Sequence, residues 1–224
     1  MKQNKLNTLE NYGIIFGVSS VIGLELAKEL TKRGANLILQ DDSKSNLEKI
    51  NFQLKKIGKQ QIYLHCKHQI PENLDNLNIA IQQQFKKLDF IISTIGKIES
   101  LRPLTDLSLK EWKKSIDVNL TTNWIILKNS EFFLRQSRSP KIYFFYNSEI
   151  SKGAPYYNSY SISKAALKSM VDLYQKEKKK FNFTVKIIDI ELDKFCQISH
   201  LRPKYKKYNY NKEVKMIVSE ILKI

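Results

Sequence analysis

The chain has 224 residues, 42% of them hydrophobic and 11% aromatic, enough for one α/β domain with its own core and far from a disordered composition. It has no apolar run long enough to cross a bilayer, no secretion-signal core within Met1 to Asn11, and only two cysteines, Cys66 and Cys196, which make no disulfide framework; a soluble, cytoplasmic protein with no membrane partner is expected. The net charge of +16 is spread along the whole chain and reads as solvated lysine-rich faces rather than as a nucleic-acid surface. Its densest cluster, Lys176 to Lys180, falls where a helix should end and the dipole favours cations; only Arg202 to Lys207, with Tyr205 and Tyr208, interleaves basic and aromatic residues.

The first predicted strand, Tyr12–Phe16, runs into Gly17-Val18-Ser19-Ser20-Val21-Ile22-Gly23. This small-residue turn precedes a helix whose apolar stripe is Ile22, Leu26, Ala27 and Leu30. Backbone amides and the helix dipole at such a turn can hold a pyrophosphate, although glycine also serves there simply for tight packing. The second strand, Asn36–Gln40, ends at Asp41-Asp42. A carboxylate at that place accepts the ribose hydroxyls of an adenosine and repels a 2′-phosphate. Asp41 lies 18 residues after Gly23, close to the interval that role requires. Asp42, Ser43 and Ser45 compete as N-cap of the next helix, which is striped by Leu47, Ile50, Leu54 and Ile57.

Further strands are expected at Gln61–Cys66, Leu88–Ser93, Lys141–Tyr146 and Phe183–Ile190, with a helix carrying Leu74, Leu77, Ile81 and Phe85 between the first two. The strands are continuous apolar runs rather than alternating ones, as burial on both faces demands. Strand–helix alternation gives the fold class, α/β: a three-layer, doubly wound parallel sheet with right-handed crossovers, in a single domain over 1–224. Ligands of such a sheet sit beyond the carboxyl ends of its strands. Tyr160-Ser161-Ile162-Ser163-Lys164 then places a phenol and an ammonium one helical turn apart on one face. A neighbouring cation lowers a phenol's pKa and lets it exchange a proton nearer neutral pH; an ordinary solvated Tyr/Lys pair is the alternative.

Together, the glycine turn, the acidic strand end and Tyr160-x-x-x-Lys164 resemble the short-chain dehydrogenase/reductase family. Pro103-Leu104-Thr105 through Glu111-Trp112 to Asp117-Val118-Asn119-Leu120 is similar to that family's approach to its active-site Asn, and Leu88-Asp89-Phe90-Ile91-Ile92 stands at its fourth strand. The likeness runs from Tyr12 to Ile190. It implies a six-stranded Rossmann fold and an NAD(P)-dependent oxidoreductase that moves a hydride between nicotinamide and a carbonyl/alcohol substrate. It implies Tyr160 as acid/base, Lys164 as the cation that lowers its pKa and holds the nicotinamide ribose, and Asn119 as a helix interruption that anchors a proton-relaying water. It also implies a cofactor site built from Gly17, Ser19, Ser20, Ile22, Gly23, Asp41, Thr94 and Gly96 together with Tyr160 and Lys164. With Asp41 and Asp42 opposing a 2′-phosphate, NAD is expected ahead of NADP. A substrate-facing Ser belongs 13 residues before the Tyr, where Asn147 stands. Either the intervening loop is one residue short and Ser148 serves, the preferred reading, or the Asn147 amide donates instead.

The chain also departs from the family's pattern. Val21 replaces the middle glycine of the turn, Ser93-Thr94-Ile95-Gly96 replaces Asn-Asn-Ala-Gly, Lys67 replaces an adenine-contacting Asp, and Ile190-Glu191 with Phe195 stand for Pro-Gly and a Thr. Because the chain stops at Ile224, the family's seventh strand and the interface built on it are expected to be missing. A catalytically impaired domain that binds a nucleotide or a partner is therefore the alternative function. Apolar side chains on the helices around Asn119–Arg135 (Trp124, Ile125, Leu127, Phe132, Phe133) and Ser159–Lys176 (Leu167, Met170, Val171, Tyr174) point to a homodimer. His65, His68 and His200 have no metal-ligand spacing, so no metal is expected, and nothing in Phe195–Asn211 identifies the small-molecule substrate.

Overall fold

The computed structural model describes residues 11–58, 61–66, 79, 81–83, 85–190 and 211–222. Six strands, β1 (Tyr12–Phe16), β2 (Asn36–Asp41), β3 (Ile62–His65), β4 (Phe90–Ser93), β5 (Lys141–Tyr146) and β6 (Thr184–Asp189), form one parallel sheet in the order β3-β2-β1-β4-β5-β6. It is flanked by α1 (Val21–Lys32), α2 (Lys44–Leu54), α3 (Leu109–Ile116), α4 (Thr122–Leu134), α5 (Asn158–Lys178) and α6 (Asn211–Leu222). The strand order reverses between β1 and β4, whose last residues, Phe16 and Ser93, are register partners; a crevice opens at such a switch point. Among the described residues no helix is long and apolar enough to cross a membrane.

Helices cover both faces, so the inner strands are continuously apolar through their middles, with polar residues such as Asn36, Asp41, Ser93 and Lys141 at their ends. Ile14 and Phe16 join one core with Ile91, Ile126 and Leu167, while Ile15 joins the other with Leu26, Leu39 and Ile217. Each such side chain contributes about 1.5–3 kcal/mol by leaving water. β6, at the sheet's edge, exposes Lys186 and Asp189 instead. β2 runs one residue beyond its apolar pattern, because Asp41 still pairs with His65. Ser43, rather than Asp42 or Ser45, caps α2, its hydroxyl accepting the Asn46 amide.

α3 starts at a capping box in which the Ser108 hydroxyl accepts from the Glu111 amide and the Glu111 carboxylate accepts from the Ser108 amide. It passes through a π-helical turn, Asp117–Thr121, into α4. The wider turn carries Asn119 inward, where it is fully buried. Leu74, Leu77, Lys67, His68 and residues 191–210, with Glu191, Phe195 and the cluster Arg202 to Lys207, lie outside the described residues.

Candidate active site

The glycine turn is locked onto the end of β2. Gly17 takes a left-handed φ of 71°. A Cβ on Gly23 would lie 2.7 Å from Ser20 Oγ and 3.0 Å from Gly17 O, so both places need glycine. The Gly17 and Val18 amides donate to Gln40 O at 3.0 and 3.1 Å, and the Ser20 amide to Gly17 O at 3.0 Å. The Thr94 hydroxyl shares its proton between Phe16 O (2.9 Å) and Gly17 O (2.7 Å) and accepts from Ser20 Oγ at 2.8 Å. Ser20 Oγ also accepts the Gly23 amide at 3.0 Å. The hydroxyls of Ser20 and Thr94 thus shape the turn from within. The amides of Val21 and Ile22, at the positive end of the α1 dipole, take no partner among the described residues, which leaves them open to an anion. The Val21 side chain is exposed at the same end.

Asp41 does not face outward to a ribose. It is 2% exposed, with Oδ2 accepting from the Ser19 amide at 3.1 Å and Oδ1 from the Ser43 amide at 3.0 Å. The extension of β2 through this residue turns the carboxylate inward, where two amides compensate its charge. The exposed charges left on this rim are Asp42 and Lys44.

Tyr160 and Lys164 stand one turn apart on α5, 5% and 2% exposed. Lys164 Nζ donates to Ile95 O at 3.3 Å and Phe145 O at 3.2 Å. A Cβ on Gly96 would lie 2.8 Å from that Nζ and 3.6 Å from Asn119 Oδ1, so Lys164, Gly96 and Asn119 meet beyond the carboxyl ends of β4 and β5. Burial pushes Lys164 down to about 8. Tyr160 goes the other way: burial foremost, then Tyr157, pushes its phenol up. The expected lowering by Lys164 is not found, because the ammonium is turned to two carbonyls and lies 5.7 Å from the ring centroid, while the phenol sits in a third apolar cluster with Ile98 and Ile150. Desolvation of the phenolate outweighs the distant cation.

Asn119 is held on every side. Its Nδ2 donates to Lys97 O (3.1 Å) and Ser115 O (2.9 Å), and its Oδ1 accepts from the Lys97 amide (2.7 Å). Its own carbonyl accepts from Asn123 Nδ2 at 2.9 Å, and Asn123 Oδ1 accepts from Ser93 Oγ at 2.6 Å. Asn123 was not singled out by the sequence pattern, although it lies one turn after Asn119 on the same face. Asn147, 4% exposed, accepts the Ile150 amide at 2.8 Å and donates one amide proton to Ile190 O at 2.6 Å, a bond that joins the ends of β5 and β6. Half-buried Ser148 donates its own amide to Asp189 Oδ1 at 2.9 Å. Its hydroxyl takes no partner among the described residues and is free to donate, whereas the Asn147 amide is already fixed by its bond to Ile190 O.

The short chain dehydrogenase family model matches residues 12–192. An oxidoreductase of Staphylococcus epidermidis strain RP62A is 27% identical over 129 residues, which is 57% of this chain and 54% of that protein, so the chain spans about half the length of this relative. Among solved structures the chain is similar to a short chain dehydrogenase of Shigella flexneri 2a strain 301 complexed with NADP, with a TM-score of 0.83 and 18% identity over 95% of this chain and 89% of that one. It is likewise similar to one of Escherichia coli CFT073 complexed with NADPH, with a TM-score of 0.86 and 17% identity over 94% of this chain and 90% of that one. At these identities the likeness is one of fold.

Proposed function

Since the chain belongs to the short chain dehydrogenase family, we propose that it is a nicotinamide-dinucleotide-dependent oxidoreductase acting on a small carbonyl/alcohol pair. The observation that carries this reading is the joint burial of Tyr160, Lys164 and Asn119, with Lys164 and Asn119 meeting at Gly96, at the same carboxyl end of the sheet as the open amides of α1. The donor set fits the cofactor: the Val21 and Ile22 amides suit its phosphates, and Gly96 and Lys164 its nicotinamide ribose. When bound, the dinucleotide supplies or takes up the hydride.

The remaining work falls to the chain's own side chains. Tyr160 gives a proton to the substrate oxygen in reduction and takes it back in oxidation. Its apolar surroundings keep the phenol protonated at neutral pH, the form that reduction uses. Lys164, at about 8, exchanges a proton within the working range and can recharge the phenol. The Ser148 hydroxyl donates to the substrate carbonyl. Asn119 keeps the loop after β4 against the π-helical turn, so that Gly96 stays packed on Lys164. Asp42 and Lys44 oppose each other beside the adenosine, and the Asp41 charge is already compensated. Preference between NAD(H) and NADP(H) is then within about tenfold, or 1.4 kcal/mol, in keeping with relatives complexed with NADP and NADPH.

The test is Tyr160→Phe. It removes turnover of a carbonyl that the parent reduces with NADH or NADPH, while nucleotide affinity stays within about twofold, because only the proton route is lost; substantial residual turnover contradicts the assignment. A domain that binds the dinucleotide without turnover is the second reading. It is favoured by Val21 at the phosphate end and by the commitment of Asn147 to Ile190 O.

A homodimer through α4 and α5 belongs to the same proposal. Ile125, Leu127, Phe133, Leu167, Val171 and Tyr174 are buried within the subunit, whereas Trp124 and Phe132 on α4, with Ile162 and Leu173 on α5, remain 40% exposed or more. Sedimentation equilibrium checks it: a dimer mass that falls to a monomer in Trp124→Lys supports the interface, and a monomer mass in the parent removes it.

A further inference from the structure

α5 begins without a side-chain cap on Tyr157. Two left-handed residues stand at its entrance, Tyr156 at φ 69° and Asn158 at φ 40°, a strained conformation for any residue but glycine that Asn tolerates better than most. What holds it is the Asn158 amide. Its Nδ2 lies 3.1 Å from Ser100 O, 3.4 Å from Arg102 O and 3.2 Å from Tyr156 O. The Arg102 amide returns a bond to Tyr156 O at 3.0 Å. The Arg102 guanidinium bonds to Ser100 Oγ and to Glu111, whose carboxylate closes the capping box of α3. On the other side, Ser161 Oγ donates to Ile150 O at 2.5 Å. Tyr160 stands between these two attachments, in the apolar cluster that includes Ile98, Leu101 and Ile150.

We propose that Asn158 is a positioning residue for Tyr160: its amide fastens the first turn of α5 to the wall formed by residues 100–102 and so fixes where the phenol stands. The helix as a whole does not depend on it. α5 is 21 residues long, and Leu167, Val171 and Tyr174 anchor it in the main core. The clamp acts on the first turn alone, where the strained backbone sits two residues before the phenol. Strain stored beside a reacting group and held by over-determining contacts is characteristic of a positioned site.

This inference rests on the reading of Tyr160 as the proton-transfer group, and its test needs neither substrate nor cofactor. Asn158→Gly keeps the left-handed backbone and deletes the amide. Asn182→Gly is the control: Asn182 is also left-handed, at φ 58°, and its amide donates to Arg138 O at 2.9 Å, but it lies beyond the far end of α5. With 13C at the tyrosine ζ carbons, NMR of the full chain follows each phenol's ionisation, and Tyr160→Phe identifies the signal. In Asn158→Gly the Tyr160 midpoint falls by about one pH unit or more, as water reaches the loosened phenol; in Asn182→Gly it does not move. An unchanged midpoint in Asn158→Gly, an equal fall in both variants, or failure of Asn158→Gly to fold overturns the proposal. Retained turnover in Tyr160→Phe would instead remove the functional reading and leave this measurement standing.

Discussion

Lys164→Met tests the electrostatics of the site most sharply. Burial moves the folded-state pKa of Lys164 from the ordinary 10.5 to about 8. Holding the ammonium charged in the fold therefore costs about 3 kcal/mol relative to leaving it in water. Below pH 8 both states bind the proton and this cost is constant. Between pH 8 and 10.5 the unfolded chain keeps a proton that the folded chain has lost, so the parent's stability rises with pH by about 3 kcal/mol. Methionine has nearly the same length and no charge. At neutral pH the substitution relieves the cost, while depriving Ile95 O and Phe145 O of a donor costs about 0.5–1.5 kcal/mol each. The variant is expected to be more stable at pH 7 by about 1 kcal/mol and inactive, a trade of stability for function. By pH 10.5 the order reverses. Urea unfolding of both proteins across this range gives the difference directly, since other titrating groups cancel. A difference that does not vary with pH would refute the burial argument.

Ser148→Ala is expected to lower turnover by about 100-fold, measured by steady-state kinetics, with stability unchanged. Asn147→Ala should instead lower stability by about 1–3 kcal/mol in urea, because it strands Ile190 O and the Ile150 amide. Gly23→Ala forces a methyl against Ser20 Oγ and Gly17 O; a loss of about 1–3 kcal/mol in thermal unfolding, together with loss of nucleotide binding, is the expected result. Asp42→Asn removes the exposed carboxylate that opposes Lys44 on the adenosine rim and should tilt binding toward NADPH by about fivefold, read from paired NADH and NADPH titrations.

The sheet was legible because its strands carry their signal locally. Ile14, Ile15 and Phe16 in succession, closed off at once by Gly17, read as a strand buried on both faces, and such runs recur with helical stretches between them. The Tyr160–Lys164 pair was legible for a similar reason, since one helical turn relates the two whatever surrounds them. Side-chain orientation at the strand ends was not. Asp41 reads as an outward carboxylate until β2 extends by a residue and two amides meet it, the Ser19 amide from the distant glycine turn and the Ser43 amide from two residues on. Lys164 reads as the partner of Tyr160 until the Ile95 and Phe145 carbonyls, on different strand exits, take its ammonium. Asn123 and Asn158 act through bonds to residues 30 and 56–58 positions away, and no motif marks them. The apolar residues of α4 and α5 read as a surplus for an interface, but most of them fill the core, since helix periodicity alone does not say how wide a stripe the sheet will cover.

The account stands most directly on a fluorescence titration of the parent chain with NADH and NADPH near physiological salt. It predicts saturable binding of both, with Kd values within the roughly 1 μM to 1 mM span usual for enzyme substrates and within about tenfold of each other, and it predicts that Gly23→Ala abolishes both. Linear, unsaturable signals with both nucleotides up to millimolar concentration would contradict it.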